Sequence, residues 1–156
     1  MFDFEKIDII AQAKILTIIA ENASKYLAKD EHKQIAKNAL DKCWNWLHEK
    51  TTHPNELYAL IDSGDDTDIT VVQEDCTGDD FMIWDCVVYA IAYVCKAAYK
   101  HNNSKYMPQP IEEVDSFIYG LVRDIHRRAD CLQEDFPKKI EFFYNDGNQL
   151  MREDWL

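Results

Sequence analysis

Three clusters of side chains in this chain are of the types that bind metals, and their spacing decides what each could do. His48 and His53 bracket Glu49. A helical zinc protease needs two histidines four residues apart on one helix face, with a glutamate between them. Here they are five apart and His53 precedes Pro54, where helical geometry is disfavoured, so no zinc site is expected. His32, His101 and His126 are isolated and expected on polar faces. Asp62 to Glu74 is rich enough in carboxylates to suggest a calcium loop. Counting from Asp62, however, puts Gly64 third, Thr67 where the sharp turn needs glycine, and Gln73 where the bidentate glutamate belongs. A register from Asp66 does no better.

The third cluster is Glu112, Glu113 and Asp115, with Asp79, Asp80 and Asp85 earlier in the chain. Carboxylates projecting from facing helices can hold Mg²⁺, which can in turn bridge a nucleotide's phosphates. All-α nucleotide pyrophosphohydrolases are built this way. The competing explanation is that acids in the first turn of a helix are favoured by its dipole. Other chemistry is harder to assemble. None of Ser24, Ser63, Ser104 and Ser116 lies in a nucleophile elbow, and four glycines cannot build a phosphate-cradling loop. Cys43, Cys76, Cys86, Cys95 and Cys131 are odd in number and contain no C-x-x-C. They are expected to be reduced thiols, several of them buried as small hydrophobes. No cofactor and no catalysis are expected.

Charge is more informative. Between Lys50 and Lys96 there is no lysine or arginine, yet that window holds Glu56, Asp62, Asp65, Asp66, Asp68, Glu74, Asp75, Asp79, Asp80 and Asp85. Outside it, 19 acids face 17 bases, so ten of the twelve net negative charges fall within 45 residues. One-signed fields steer partners of opposite sign and repel polyanions. Nucleic acid and anionic membranes are thereby disfavoured as partners, and a basic protein is favoured. No leader of the secretory type opens the sequence, and no uncharged apolar stretch reaches the ~18 residues of a membrane span. A cytoplasmic location is expected.

The elements that must position these groups read as helices. At 156 residues the chain fits one domain, 1–156, able to bury a core without metal or disulfide. Few glycines and prolines, with 47 % hydrophobic residues, predict an all-α fold. A first helix is predicted from Asp3 to about Lys29, on Ile7, Ile10, Ala11, Ile15, Ile18 and Ile19. A second follows Asp30 to about Lys50, with Ile35, Ala36, Leu40, Cys43, Trp44 and Leu47 inward. A third spans Asn55 to Asp62, behind Pro54. Asp62 to Asp79 reads as an acidic loop, in which β-branched Ile69, Val71 and Val72 allow a short strand or packed turn. The fourth, Asp80 to His101, is apolar nearly all round, with Phe81 and Trp84 on one face and Met82, Cys86, Tyr89 and Tyr93 on the other, and is therefore expected to be central. A fifth is predicted from Ile111 to Glu134, with Glu112, Glu113 and Asp115 at its start, and a last from Pro137 to Tyr144, ended by Asn145-Asp146-Gly147. The result is a single bundle of five or six helices with an acidic loop between the third and fourth.

Trp44 and Trp46 project about 200° apart on the second helix, so both cannot face one core. Trp46 is either an exposed interface anchor or packed beneath a loop. Trp155 has the same two readings.

Several phrases together resemble a known family. They are Cys43-Trp44-x-Trp46, Glu56-Leu57-Tyr58, Ala90-x-x-Tyr93, Ala98-Tyr99 and Lys105-Tyr106-x-Pro108-Gln109-Pro110-Ile111-Glu112-x-Val114. Over about residues 5 to 125 the chain is similar to immunity family six, all-α immunity proteins of bacterial polymorphic toxin and contact-dependent growth inhibition systems. The resemblance implies an inhibitor that binds one cognate toxin domain, often a nuclease with a basic cleft. It also leaves room for docking away from the active site. Combined with the acidic window, it makes Asp62, Asp65, Asp66, Asp68, Glu74, Asp75, Asp79, Asp80, Asp85 and Trp46 the expected toxin-binding residues. The alternatives are a Mg²⁺-dependent nucleotide pyrophosphohydrolase and a helical adaptor for some other basic protein.

Overall fold

The structure, a computed structural model, describes residues 3–128, 138, 140–141 and 151–155. Among them are seven helices and no strand. After a 3-10 turn, Phe4–Lys6, come α1 (Ile9–Ser24), α2 (Asp30–Glu49), α3 (Pro54–Tyr58), α4 (Ile69–Glu74), α5 (Gly78–His101), α6 (Gln109–Glu112) and α7 (Ile118–Arg128). A second 3-10 turn, Arg152–Trp155, closes the chain. The expected last helix, Pro137 to Tyr144, the end of the fifth helix, the 145–147 stop and Cys131 lie largely or wholly outside the described residues, as does the side chain of Trp155.

Helix α5 packs against all six other helices, as its nearly all-round apolar sequence requires. Ile83, Trp84, Val87, Ala90, Ile91, Val94 and Ala98 are almost fully buried along it. By length and composition alone α5 could cross a membrane, with a mean hydropathy of 1.5 over its most apolar window, but 67 % of that window is buried within the bundle. Its main partner, α1, is nearly as apolar, and its three buried polar side chains are satisfied, Ser24 by donating to the Glu21 carbonyl at 2.8 Å. Gln12 donates to the Phe4 carbonyl at 2.8 Å and accepts from the Tyr93 hydroxyl at 2.8 Å. Thr17 donates to the Ala13 carbonyl at 2.7 Å. Buried polar groups must find such partners or destabilise the fold.

Both tryptophans of α2 are buried, each on a different flank of the helix. Trp44 donates its indole N–H to Glu21 of α1 at 2.8 Å and lies under the Arg152 guanidinium, 6.0 Å away. Trp46 meets His101 at the end of α5, edge to face at 5.9 Å. The 200° divergence is therefore accommodated by neighbours on two sides.

Several boundaries depart from expectation, among them the ends of α1 at Ser24 rather than about Lys29 and of α3 at Tyr58 rather than Asp62. The first helix begins only at Ile9, where the Asp8 carboxylate accepts the Ala11 N–H at 3.0 Å. Residues 62–79 are not one loop, because Asp68 caps α4 within them. The predicted fifth helix is broken. The segment before it ends in α6, where the Lys96 ammonium donates to the Glu112 carbonyl at 3.3 Å and to that of Val114. Helix α7 starts only at Ile118, and five residues separate it from the end of α6. Glu112, Glu113 and Asp115 thus lie at a helix end and a break, not in the first turn of a long helix.

Candidate functional site

The acids of the basic-free window divide into those that build the fold and those left to solvent. Asp68 is the N-cap of α4. Its Oδ1 accepts the Thr70 N–H at 3.0 Å and its Oδ2 accepts the Ser63 N–H at 3.1 Å. Burial works against its charge, but the hydroxyls and amides of Thr70 and Ser63 outweigh that and hold its carboxyl below the usual range. Asp65 accepts the Thr67 hydroxyl at 2.5 Å and the Thr67 N–H at 3.2 Å. The Ser63 and Thr67 side chains likewise hold its carboxyl low. Asp62 accepts the Tyr58 hydroxyl at 2.9 Å, Asp80 the Ala28 N–H at 3.3 Å, and Asp85 the Gln73 side-chain amide at 2.6 Å. Gly64, at φ 76°, supplies the left-handed turn this network needs, and Asp66 follows at φ 62°.

Asp66, Glu74, Asp75 and Asp79 are exposed and have no such tie. Among the described residues none of the ten acids forms an ion pair. Ion pairs occur elsewhere, for example Lys37 with Asp41 at 2.8 Å and Arg152 with Glu21 at 2.5 Å. The acids presented by α4 and the start of α5 thus have no ion-pair partner among the described residues.

Trp46 does not belong to that face. Its side chain is 0 % exposed, so the anchor reading is withdrawn in favour of packing. The aromatic side chain that does stand among these acids is Phe81, 41 % exposed in the first turn of α5. Its place in an apolar helical pattern pointed to the core. Only the position of α4, tied by the Gln73 amide to the Phe81 carbonyl at 3.1 Å, determines which turn of α5 is left open.

The clusters with metal-binding residue types do not converge. His48 stacks near Trp44 at 6.1 Å, while the His53 ring accepts the Asn55 N–H at 3.1 Å as the cap of α3. Glu112 lies beside Lys96, whereas Asp80 and Asp85 are 16 and 11 residues earlier on α5, about 24 and 16 Å away at 1.5 Å per residue. One Mg²⁺ cannot bind both sets. Among the described residues no three His, Cys, Asp or Glu side chains come together in a metal-binding arrangement. Cys43, Cys86 and Cys95 are buried and Cys76 half-buried. Burial pushes the Cys43 thiol up to about 12, the opposite of what nucleophilic use requires.

What the fold presents is an all-α bundle with one strongly acidic face. A family model described as immunity protein Imm6 matches residues 11–127, three quarters of the chain, and the chain belongs to that immunity protein family. Such a protein neutralises a cognate toxin and is not an enzyme. No curated protein and no solved structure matches the chain significantly.

Most of the shared phrases serve the fold. Trp44, Trp46, Leu57, Tyr93, Tyr99, Ile111 and Val114 are buried, and the Tyr99 hydroxyl donates to Asn55 at 2.5 Å. Among the aromatic residues of these phrases, Tyr106 is exposed, at 75 %.

Proposed function

We propose that this immunity protein inhibits a basic toxin domain, of nuclease type, by presenting the face formed by residues 62–85 to the toxin's substrate cleft. Asp62, Asp65, Asp66, Asp68, Glu74, Asp75, Asp79, Asp80 and Asp85 supply the charge, in place of the nucleic-acid phosphates the cleft would otherwise bind. Phe81 supplies an apolar contact among them. The observation that carries this reading is a largely exposed set of acids with no ion-pair partner among the described residues. Encounter between opposite fields raises association rates towards ~10⁸–10⁹ M⁻¹s⁻¹ at low salt. Speed matters to an inhibitor that must reach its target before the substrate does. The protein acts in the cytoplasm of the cell it protects, within a polymorphic toxin or contact-dependent inhibition system.

The test is calorimetric and kinetic titration against the toxin domain encoded immediately upstream, at two salt concentrations. Wild type binds one to one and more weakly at high salt. The triple variant Asp66→Asn, Glu74→Gln, Asp75→Asn touches no capping interaction. It should associate at least about tenfold more slowly at low salt, with an unchanged unfolding midpoint. Association as fast and as salt-sensitive as wild type would remove this face from the interface.

A further inference from the structure

Beside the acidic face lies a groove between α2 and the α3–α4 segment, with a volume of about 480 Å³. Its floor is apolar. Ile35 of α2 and Leu60 after α3 are half-buried against the core, and the exposed Ala59 stands at its edge. Glu56, Asp65 and Asp68 form one rim, and Lys42 is the only base among the lining residues. Asp65 and Asp68 are fixed by the Ser63, Thr67 and Thr70 hydrogen bonds, so that rim is built before any partner arrives.

We propose that this groove receives an apolar side chain of the cognate toxin that is flanked by lysine or arginine, and that it is the anchor point of the complex. The inference rests on the immunity reading and adds where the affinity resides. The argument is complementarity. An apolar floor favours a desolvated side chain, and a rim of three carboxylates against one lysine selects cations beside it. Hot spots concentrate in such pockets, surrounded by contacts that mainly exclude water. Two other surface depressions fit this partner less well. The one beside Tyr106 mixes Lys96, Lys100 and Lys105 with Glu112 and Glu113. In the one at Arg152, the guanidinium is already paired with Glu21 and Asp41.

Two exposed positions at the groove allow a test that spares the core. Ala59→Trp fills the groove without changing charge. Asn38→Arg, on the solvent face of α2, adds a cation at its mouth. The probe is the toxin domain encoded immediately upstream, with dissociation followed by surface plasmon resonance and folding by circular dichroism. Both variants should keep the wild-type helical signal and lose affinity at least about 30-fold, the loss of one hot-spot contact. For Ala59→Trp the loss should lie in dissociation, with the salt dependence of association unchanged. The control Glu112→Gln/Glu113→Gln should bind as wild type does. If wild type binds but both groove variants bind within threefold of it, the anchor proposal is overturned and the immunity reading stands. If wild type does not bind the toxin domain, both fall.

Discussion

The Arg152 side chain joins the last described turn of the chain to α1 and α2, and its removal should be measurable. Arg152 Nε and Nη2 donate to Glu21 Oε1 at 2.8 and 2.5 Å, and Nη2 also donates to Asp41 Oδ1 at 2.6 Å. Glu21 is held further by the Trp44 indole. The Arg152 and Glu21 side chains are 19 % and 13 % exposed, and Asp41 is 37 % exposed. Exposed pairs contribute about 0–1 kcal/mol. Breaking a fully buried pair costs about 3–5 kcal/mol, because one charge is left without a partner. This site lies nearer the buried limit, but Glu21 keeps one indole donor and Asp41 keeps Lys37. Arg152→Met, which retains the apolar stem over Trp44, should therefore destabilise by about 2 kcal/mol. Glu21→Gln should cost less, since Arg152 retains Asp41. In urea unfolding followed by tryptophan fluorescence, the double-mutant cycle should give a coupling of about 1.5 kcal/mol. The melting temperature of Arg152→Met should fall by about 4–8 °C for a chain of this size. A coupling below about 0.5 kcal/mol would mean that the C-terminal turn does not hold α1 and α2 together, and this account of it would fail.

Two further perturbations separate structural roles from binding roles. His126 is 2 % exposed and its Nε2 accepts from the Asn22 amide at 2.8 Å, so burial lowers its pKa and favours the neutral ring. The unfolded chain then takes up the proton first. Stability should be full above about pH 6.5 and fall on acidification by up to about 1.4 kcal/mol per pH unit, a slope that His126→Gln should flatten. If the two pH profiles were parallel, the ring would not be the responsible group. Asp68→Ala removes the cap of α4 and should cost about 1–2 kcal/mol in urea unfolding, with Asp68→Asn costing less. Equal, negligible losses in both would show that α4 does not depend on its cap.

How much was legible in the sequence followed from the length of each element. Long helices carry many periods, so α1, α2 and α5 were readable from their apolar spacing, and α5's central place from its lack of a polar face. Helix α4 has six residues, fewer than two turns, and its Ile69-Thr70-Val71-Val72 start has the composition of a strand. What makes it helical is local capping by Asp68 and the tie from Gln73 to α5, neither of which has a period. The α6–α7 break was hidden for the opposite reason. Ile111, Val114 and Ile118 continue a helical spacing across it, and all three are buried although the helix is not continuous. Trp46 took the buried one of its two readings and Phe81 is exposed despite its apolar helix, because exposure of a side chain on a buried helix depends on what covers each turn.

The charge pattern was legible for a different reason: it does not depend on the fold. Lys6, Lys33, Lys37 and Arg152 stand beside acids outside residues 51–95, and Lys96 against backbone carbonyls at the α6 end. None of them reaches the acids of residues 51–95. Pairing those acids on the surface would add only about 0–1 kcal/mol each, so the fold gains little from supplying bases there. Repulsion among them is moderated by salt, whose screening length is about 8 Å at physiological ionic strength. Folding is thus nearly indifferent to the missing bases, while any approaching molecule is not. One interspersed lysine per acid would leave the same bundle with no net field. The omission of every base from 45 residues is therefore better explained by the encounter with a cationic partner than by anything the bundle itself requires.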